Sequence, residues 1–444
     1  MAETQGSKTI STKLERIAEI AKRMPGVALT SLSHHIDMDW MREAYRRTRK
    51  DGAVGVDEQT AAEYAVNLEE NLASLLDRAK SGDHYRAPPE RRVHIPKGTD
   101  GKPTRPLGIP SFEDKVLQRA VTMVLEAVYE QDFLDCSYGF RPGRSAHDAL
   151  RTVNAACMRG EANWVLEADI ESFFDSIDRK KLMEMLRLRV NDESFMRLVG
   201  KCLHVGVLDN GEYSEPDVGT AQGSVLSPML GNVYLHHVLD VWLERQVRPR
   251  LRGKTCLVRY ADDLVVGFER REEAEMVMAM LHQRMAEFAL RLHPEKTRLV
   301  PFKRPPSGQG GGKGPGTFDF LGFTLLWRKT PAGHWGQSFK TRTARLQRAK
   351  MALDDFCRRH RHEPVKEQHA ALCRRINGHI NYFGVNGNLD GVARLVRAAE
   401  RAWHKWLRRR SNRSRLTWQR FGDLLRAFPL PRPCVKVQLW AKLT

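Results

Sequence analysis

Apolar residues in the first third of the chain recur at helical spacing. Helices are predicted for residues 11–86, 112–129 and 179–189. The first of these regions is broken at the glycine-containing segment 51–57 and ends at Pro88 and Pro89. Asp178 stands where a side chain caps the last of these helices. The N-terminal part is therefore expected to be helical.

Short apolar runs bounded by turn residues predict strands between and after these helices. Strands are predicted at residues 92–96, 105–110, 164–170, 255–260, 264–268 and 318–323. The first two flank a turn at residues 98–101 and predict a hairpin, and after residue 323 the chain is expected to be helical. The pattern predicts a mixed α/β (α+β) fold.

Composition excludes several classes of protein. The chain has 444 residues, 41% of them apolar, which is enough for roughly two to four domains with their own cores. Apolar stretches such as residues 121–128 are interrupted well before the ~20 residues that cross a bilayer, and residues 1–24 contain no secretory signal. Seven cysteines lie far apart, without zinc-ligand spacing. We expect a cytoplasmic protein with free thiols and no membrane partner.

The net charge of +19 is concentrated at one end of the chain. Residues 340–444 contain 25 Lys and Arg against 7 Asp and Glu, a net of +18, so the other residues carry a net of +1. This distribution favours a nearly neutral globular body followed by a module that binds a polyanion, for which nucleic acid is the first candidate.

Aromatic residues are interleaved with the positive charges of this module. Residues 401–420 hold eight basic residues, no acidic ones and three tryptophans, and aromatics of this kind stack on bases while cations hold phosphates. The helical spacing of Trp403 and Trp406 instead favours a place in the core, which we expect for these two. The candidate phosphate contacts are Arg401, Lys405, Arg408, Arg409, Arg410, Arg413 and Arg415.

Three acids end or join predicted strands. Asp262 and Asp263 stand between two apolar runs, and Asp169 closes another. A lone Asp-Asp pair is usually a solvated turn, but three carboxylates that converge from neighbouring strands can hold two Mg²⁺ ions. Two such ions would serve an in-line phosphoryl transfer.

At these residues the sequence resembles the reverse transcriptases encoded by bacterial group II introns. The similarity runs from about residue 35 to the C-terminus, and the blocks follow the order of that family. They are Tyr-Ala-Asp-Asp at residues 260–263 and the segments 55–57, 95–97, 105–110, 138–143, 169–175, 222–224 with 227–228, 294–297 and 320–323.

The resemblance implies a right-hand polymerase with fingers, palm and helical thumb, and it implies metal ligands. Asp169 and Asp262 would bind both Mg²⁺ ions, for which Mn²⁺ could substitute, and Asp263 would be the third carboxylate. Ile170 is included among the expected ligands, and Lys296 would donate a proton to the leaving phosphate. An exposed lysine after a proline is otherwise merely solvated.

The resemblance also implies how a deoxynucleotide is bound. Lys97 and Arg105 would hold the triphosphate, as a point charge and a fork respectively. Phe174 would close over C2′ of the sugar, where a ribose 2′-hydroxyl clashes, and Gln222 would contact the nucleotide from the palm. Taken alone, Phe174 would be assigned to the core, and the two cations to a solvated hairpin.

Two positions depart from the family pattern. Residue 221 is Ala where Pro is usual, which loosens the loop that sets Gln222, and residue 293 is His where Asn is common.

Residues 376–388 look like the thumb or maturase segment that grips intron RNA. Many relatives continue into a nuclease domain that this sequence is not expected to supply, so it should not cut DNA itself.

We therefore expect an RNA-directed DNA polymerase with maturase activity, acting in a bacterial cytoplasm near the nucleoid. Its partners would be structured intron RNA, a template–primer duplex, target DNA and deoxynucleotides. The expected domains are residues 1–86 (N-terminal extension and start of the fingers), 87–335 (fingers and palm) and 336–444 (thumb or maturase). Two alternatives stay open: a splicing cofactor with a vestigial polymerase site, and a host-adopted reverse transcriptase in defence or repair.

Overall fold

The structure of the protein is a computed structural model. It describes residues 2–81, 85–96, 104–220, 222–306, 315–330, 333–411 and 416–440, with side chains from residue 10 onward. Four of the residues singled out in the sequence lie outside this part of the chain: Lys97, Ala221, Arg413 and Arg415.

Helices account for most of the described residues. They are α1 (Ala2–Arg23), α2 (Met38–Arg47), α3 (Ala61–Val66), α4 (Leu68–Lys80), α5 (Phe112–Tyr129), α6 (Ala146–Met158), α7 (Phe173–Ser176), α8 (Arg179–Arg187), α9 (Glu193–Leu203), α10 (Ser227–Leu235), α11 (Arg271–Glu287), α12 (Thr343–Arg359), α13 (Val365–Phe383), α14 (Leu389–Arg408) and α15 (Trp418–Ala427). Helix α10 continues as π-helix over His236–Asp240 and Trp242–Val247, and short 3₁₀ turns cover Ser33–His35 and Arg248–Arg250.

The strands of the described residues form three sheets. They are β1 (Glu90–Pro96), β2 (Thr104–Ile109), β3 (Trp164–Asp169), β4 (Val207–Asp209), β5 (Glu212–Ser214), β6 (Thr255–Tyr260), β7 (Asp263–Phe268), β8 (Arg298–Pro301), β9 (Phe318–Phe320), β10 (Phe323–Lys329) and β11 (Trp335–Thr341). Their orders are β2-β1-β4-β5, β6-β7-β3-β8 and β11-β10-β9. The predicted mixed α/β class is confirmed.

Helix α5 is the centre of the N-terminal helical layer. Its Val116, Val121 and Val128 are fully buried, and α1 and α2 pack on it. The indole Nε1 of Trp40 on α2 donates to the Ala120 carbonyl at 3.0 Å, which fixes the two helices together. Ser111 caps α5 by accepting from the Asp114 amide, so the helix begins where the sequence predicts.

The two strands of the hairpin predicted before α5 are present as β1 and β2, and the predicted turn at residues 98–101 lies outside the described residues. The strands are antiparallel, with Ile95 opposite Arg105, and β1 also pairs in parallel with β4. The amide of Gly108 on β2 donates to the Gln222 carbonyl at 2.7 Å, which ties this sheet to the loop before α10.

The sheet β6-β7-β3-β8 is antiparallel throughout and carries the acidic residues. Strand β7 is buried beyond its first residue, with β6 on one side and β3 on the other, as its continuous apolar run indicates. The strands at residues 164–170 and 255–260 are confirmed.

The expectation that the chain turns helical directly after residue 323 is wrong. A left-handed turn at Leu321 and Gly322, with φ of 51° and 79°, separates β9 from β10, which then pairs with β11. Alternate residues of β10, such as Phe323 and Leu325, are buried against the C-terminal core, and this burial stabilises a hairpin before α12 begins.

The C-terminal helices α12 to α15 share a core with this third sheet. Trp403 is fully buried and donates through Nε1 to Gln368 at 3.0 Å, which confirms its predicted place in the core, while Trp406 is only partly buried. The seven cysteines are all free, as predicted. No helix among the described residues is both long and apolar enough to span a membrane.

Candidate active site

Strand pairing brings the three predicted carboxylates together. In the ladder between β3 and β7, Asp169 lies directly opposite Asp263, and in the ladder between β6 and β7, Tyr260 lies opposite Asp263. The two residues between Tyr260 and Asp263 therefore form a tight hairpin turn that includes Asp262. Carboxylates that are far apart in the sequence therefore form one acidic cluster at the end of a buried sheet.

The turn itself is strained. Ala261, its first central residue, has a φ of +57°, at a position that two-residue hairpins with one positive φ normally give to Gly. A left-handed alanine costs about 1–2 kcal/mol. Such strain persists where the surroundings fix it, and it is concentrated at functional sites.

A neighbouring segment presses directly against this turn. A Cβ atom at Gly139 would lie 2.3 Å from the Ala261 nitrogen, so only glycine fits there. Gly139 belongs to the block at residues 138–143, which the sequence places in the family order without giving it a role. In the structure this block supports the acidic turn.

Asp262 and Asp263 have raised pKa values. Burial raises the pKa of Asp262, and the nearby Asp169 carboxylate raises it further. Burial, together with the charges of Asp262 and Asp169, raises the pKa of Asp263 to about 6. The side chain of Asp263 nevertheless reaches solvent at the mouth of a cleft. Burial here therefore means that many protein atoms surround an open site. The negative charges repel each other, and a cation would relieve that repulsion.

Carboxylate oxygens are the ligands that Mg²⁺ prefers, so the chemistry of these residues fits a divalent cation. In the described ranges, no group of three or more His, Cys, Asp or Glu side chains is arranged so that it could hold a metal ion. The backbone of Ile170, the other expected ligand, bridges to Leu292, and its side chain is buried.

Lys296 reaches the cluster from the loop before β8. Its Nζ lies 2.5 Å from Oδ2 of Asp169, and both line a cleft of about 290 Å³ together with Asp263. The His293 amide donates to the Asp169 carbonyl at 2.8 Å, so the unusual His293 still anchors this loop through its backbone. The structure thus places Lys296 beside the predicted metal ligands, and its role in proton transfer stays a prediction.

Of the residues predicted to bind the nucleotide, Arg105, Phe174 and Gln222 lie in the described part of the chain. Arg105 is exposed on β2, and its positive charge lowers the pKa of Asp262. Phe174 is half-buried on α7, and its carbonyl accepts from the Thr220 amide at 2.7 Å. The loop from Thr220 to Gln222 is therefore held at one end by Phe174 and at the other by Gly108 of β2.

The basic candidates near the C-terminus fall into different environments. Lys405 pairs with Asp354 at 3.0 Å, Arg410 donates to the Glu363 carbonyl at 2.5 Å, and Arg409 lies over the Trp406 ring. Arg401 and Arg408 are exposed. Exposed side chains with no internal partner are better placed for phosphate than those already paired.

Sequence reasoning missed Arg394 and Arg397, which lie on the same face of α14 as Arg401. With Lys350 of α12, these residues line a groove of about 680 Å³ between the two helices. Their spacing of three and four residues was the available signal, because such residues share one helix face. A second omission is the buried Arg259, which contacts the acidic turn from below.

Comparison with known proteins identifies relatives along most of the chain. Residues 95–325 match the family described as reverse transcriptase (RNA-dependent DNA polymerase). Protein YkfC of Escherichia coli K12 is 33% identical, over 73% of this chain and 90% of that protein. Group II intron-encoded protein LtrA of Lactococcus lactis is 42% identical, over 38% of this chain and 28% of that protein. Nuclear intron maturase 1 of Arabidopsis thaliana is 32% identical, over 21% of this chain and 13% of that protein. The chain thus spans less than a third of these two intron-related proteins.

Proposed function

This chain belongs to the reverse transcriptase family of RNA-dependent DNA polymerases, and from this premise we propose that Asp169, Asp262 and Asp263 bind two Mg²⁺ ions at its active site. The family uses divalent metal ions. The convergence of the three carboxylates at the ends of β3 and β7 supports this assignment. When bound, the ions would activate the primer 3′-hydroxyl and stabilise the leaving pyrophosphate.

The surrounding side chains would bind and orient the deoxynucleotide. Arg105 would hold the triphosphate beside the carboxylates, together with Lys97. The half-buried Phe174 would pack against C2′ of the sugar, and Gln222 would contact the nucleotide from its tethered loop. Lys296, which pairs with Asp169, would move its proton to the leaving pyrophosphate.

The test of the metal assignment is Asp262→Asn in a primer-extension assay with an RNA template and a DNA primer. Loss of one shared ligand should disrupt both metal sites, so the barrier should rise by about 4 kcal/mol or more, a loss of several orders of magnitude in rate. Asp135→Asn, at a fully exposed surface position, is the matched control and should extend normally. Extension at the wild-type rate by Asp262→Asn would contradict the assignment.

We further propose that the basic C-terminal module binds structured RNA of the group II intron type and assists its splicing. The net charge of +18 in residues 340–444 supports RNA binding, and the names of the relatives LtrA and intron maturase support the intron. The retained carboxylates and Arg105 favour an active polymerase over a vestigial one.

Binding to a group II intron RNA should be compared with binding to a structured RNA of equal length and unrelated fold. Preferential binding and faster splicing of the intron RNA are expected. Equal affinities, with normal primer extension, would instead favour a host-adopted reverse transcriptase with no intron partner.

A further inference from the structure

Arg259, on β6 two residues before Ala261, is fully buried with every donor in use. Its Nε and Nη2 bind the two oxygens of Asp240 at 2.8 and 2.6 Å, and Nη2 also donates to Ser137 at 2.8 Å. Its Nη1 donates to Asn232 at 2.9 Å and to the Ala261 carbonyl at 3.0 Å. These bonds account for all five N–H groups of a guanidinium.

Such a pair is a poor means of gaining stability. Both Arg259 and Asp240 have 0% exposed side chains, so each charge has lost its hydration. Replacing a buried ion pair by apolar residues of similar size is often neutral or stabilising. The geometry therefore points to a role other than adding stability.

The contact that distinguishes Arg259 is the one to Ala261. This residue is the strained first central residue of the acidic turn, and its carbonyl is the last backbone acceptor before Asp262. The turn is also held from its other side, because Asn232 donates to the Gly139 carbonyl at 2.8 Å and Gly139 lies against the Ala261 nitrogen. Asn232 is thus shared by both supports.

The helix below the turn is shaped to present these partners together. Asn232 and Asp240 are eight residues apart, which in a regular α-helix overshoots two turns by roughly 80°. The π-helical stretch His236–Asp240 has wider turns, which take up this excess. Both side chains consequently reach Arg259.

We propose that Arg259, held by Asp240, is a positioning residue for the acidic turn. It touches neither substrate nor metal. It acts by fixing the Ala261 carbonyl, and so the left-handed backbone that directs Asp262 and Asp263 towards Asp169. This inference rests on the proposed roles of the three carboxylates.

Two variants separate positioning from stability. Arg259→Lys keeps the buried charge, but a single ammonium cannot reach Asp240, Asn232 and Ala261 at once. The double variant Arg259→Met with Asp240→Leu removes both charges and should remain folded. In both, kcat for extension should fall about 100-fold, as for a roughly 1 Å misplacement, with little change in KM for the deoxynucleotide.

Arg189 provides the matched control. It is also a buried fork, with Nε 2.5 Å from Asp132 and bonds to the carbonyls of Ala21, Met24 and Val27, but it joins the N-terminal helices. Arg189→Lys should lower the melting temperature and leave kcat at the wild-type value.

The outcomes are distinct. A normal kcat in Arg259→Lys, or in the folded double variant, would overturn the positioning role. A fall in kcat in Arg189→Lys that accompanies its lower melting temperature would also overturn it, because loss of stability alone would then explain the loss of activity. If the double variant fails to fold, Arg259→Lys alone decides. Absence of extension by the wild-type protein would instead contradict the polymerase function itself, with Asp262→Asn as the reference for no activity.

Discussion

Removing the arginine stripe of α14 should weaken RNA binding without harming polymerisation. Arg394, Arg397 and Arg401 are exposed on one face of the helix and line the groove against Lys350 of α12. None has a hydrogen-bond or ion-pair partner among the described residues, in contrast to Lys405, which is paired with Asp354. The stripe is therefore one part of the basic module whose side chains are free to bind phosphate.

The magnitude follows from the number of contacts. Each phosphate contact on a duplex contributes about 0.9 to the slope of log K against log salt, so replacing the three arginines by Gln should flatten it by roughly 2.7. At about 0.1 M salt this corresponds to a loss of affinity on the order of 10²–10³. Arg394 and Arg401 are seven residues apart, which is roughly 10 Å along a helix. The groove is therefore long enough for the three arginines to contact separate phosphates.

The assay is a titration of labelled structured RNA between about 50 and 200 mM salt. The control replaces Arg187, Arg248 and Arg271 by Gln, which removes the same charge from exposed arginines that already pair with acids. Extension of a pre-annealed primer at saturating enzyme should be normal in both. An unchanged slope in the stripe variant, or equal flattening in both variants, would refute a phosphate contact and leave only a general effect of net charge.

Two further predictions concern sugar selection and pH. Phe174→Ala should raise the ratio of kcat/KM for ribonucleotides to that for deoxynucleotides by opening the space beside C2′, and an unchanged ratio would return Phe174 to a purely structural role. Burial raises the pKa of Glu90 to about 8, so the unfolded chain releases a proton that the folded chain keeps, and stability should fall as pH rises from about 4.5 to 8. Denaturant unfolding across that range should give a flatter profile for Glu90→Gln; an unchanged profile would contradict this.

Elements with a strong period or clear end signals were predictable from the sequence. Helix α5 and strand β6 have the predicted bounds, because each has a clear pattern and flanking turn or cap residues. The β10–β11 hairpin was not predicted. Its outer face includes Arg328 and Lys340, and these charges resemble the start of the basic helices that follow.

The site was predictable only where chemistry is visible in the sequence. Adjacent acids after apolar strands indicated Asp169, Asp262 and Asp263, and the pairing of β3 with β7 confirms that the strands carrying them are neighbours. Arg259 and Asp240 gave no such signal. They lie 19 residues apart, one in a strand and one in a π-helix whose widened register no local pattern indicates.

The charges around the acidic turn support the proposed binding of a cation there. Three positive side chains lie near the acids. Arg259 donates all its hydrogen bonds to Asp240 and to neutral oxygens, and among the described residues Lys296 forms its hydrogen bond with Asp169. Arg105 stands on the other sheet, where it is exposed. The positive charges of Arg105 and Arg259 lower the pKa of Asp262, and that of Lys296 lowers the pKa of Asp263, but burial and the neighbouring carboxylates leave both pKa values raised. Asp263 lines the open cleft together with Asp169. Because the neighbouring cations offset the repulsion among the acids only in part, the site keeps negative charge that the proposed divalent ions would neutralise.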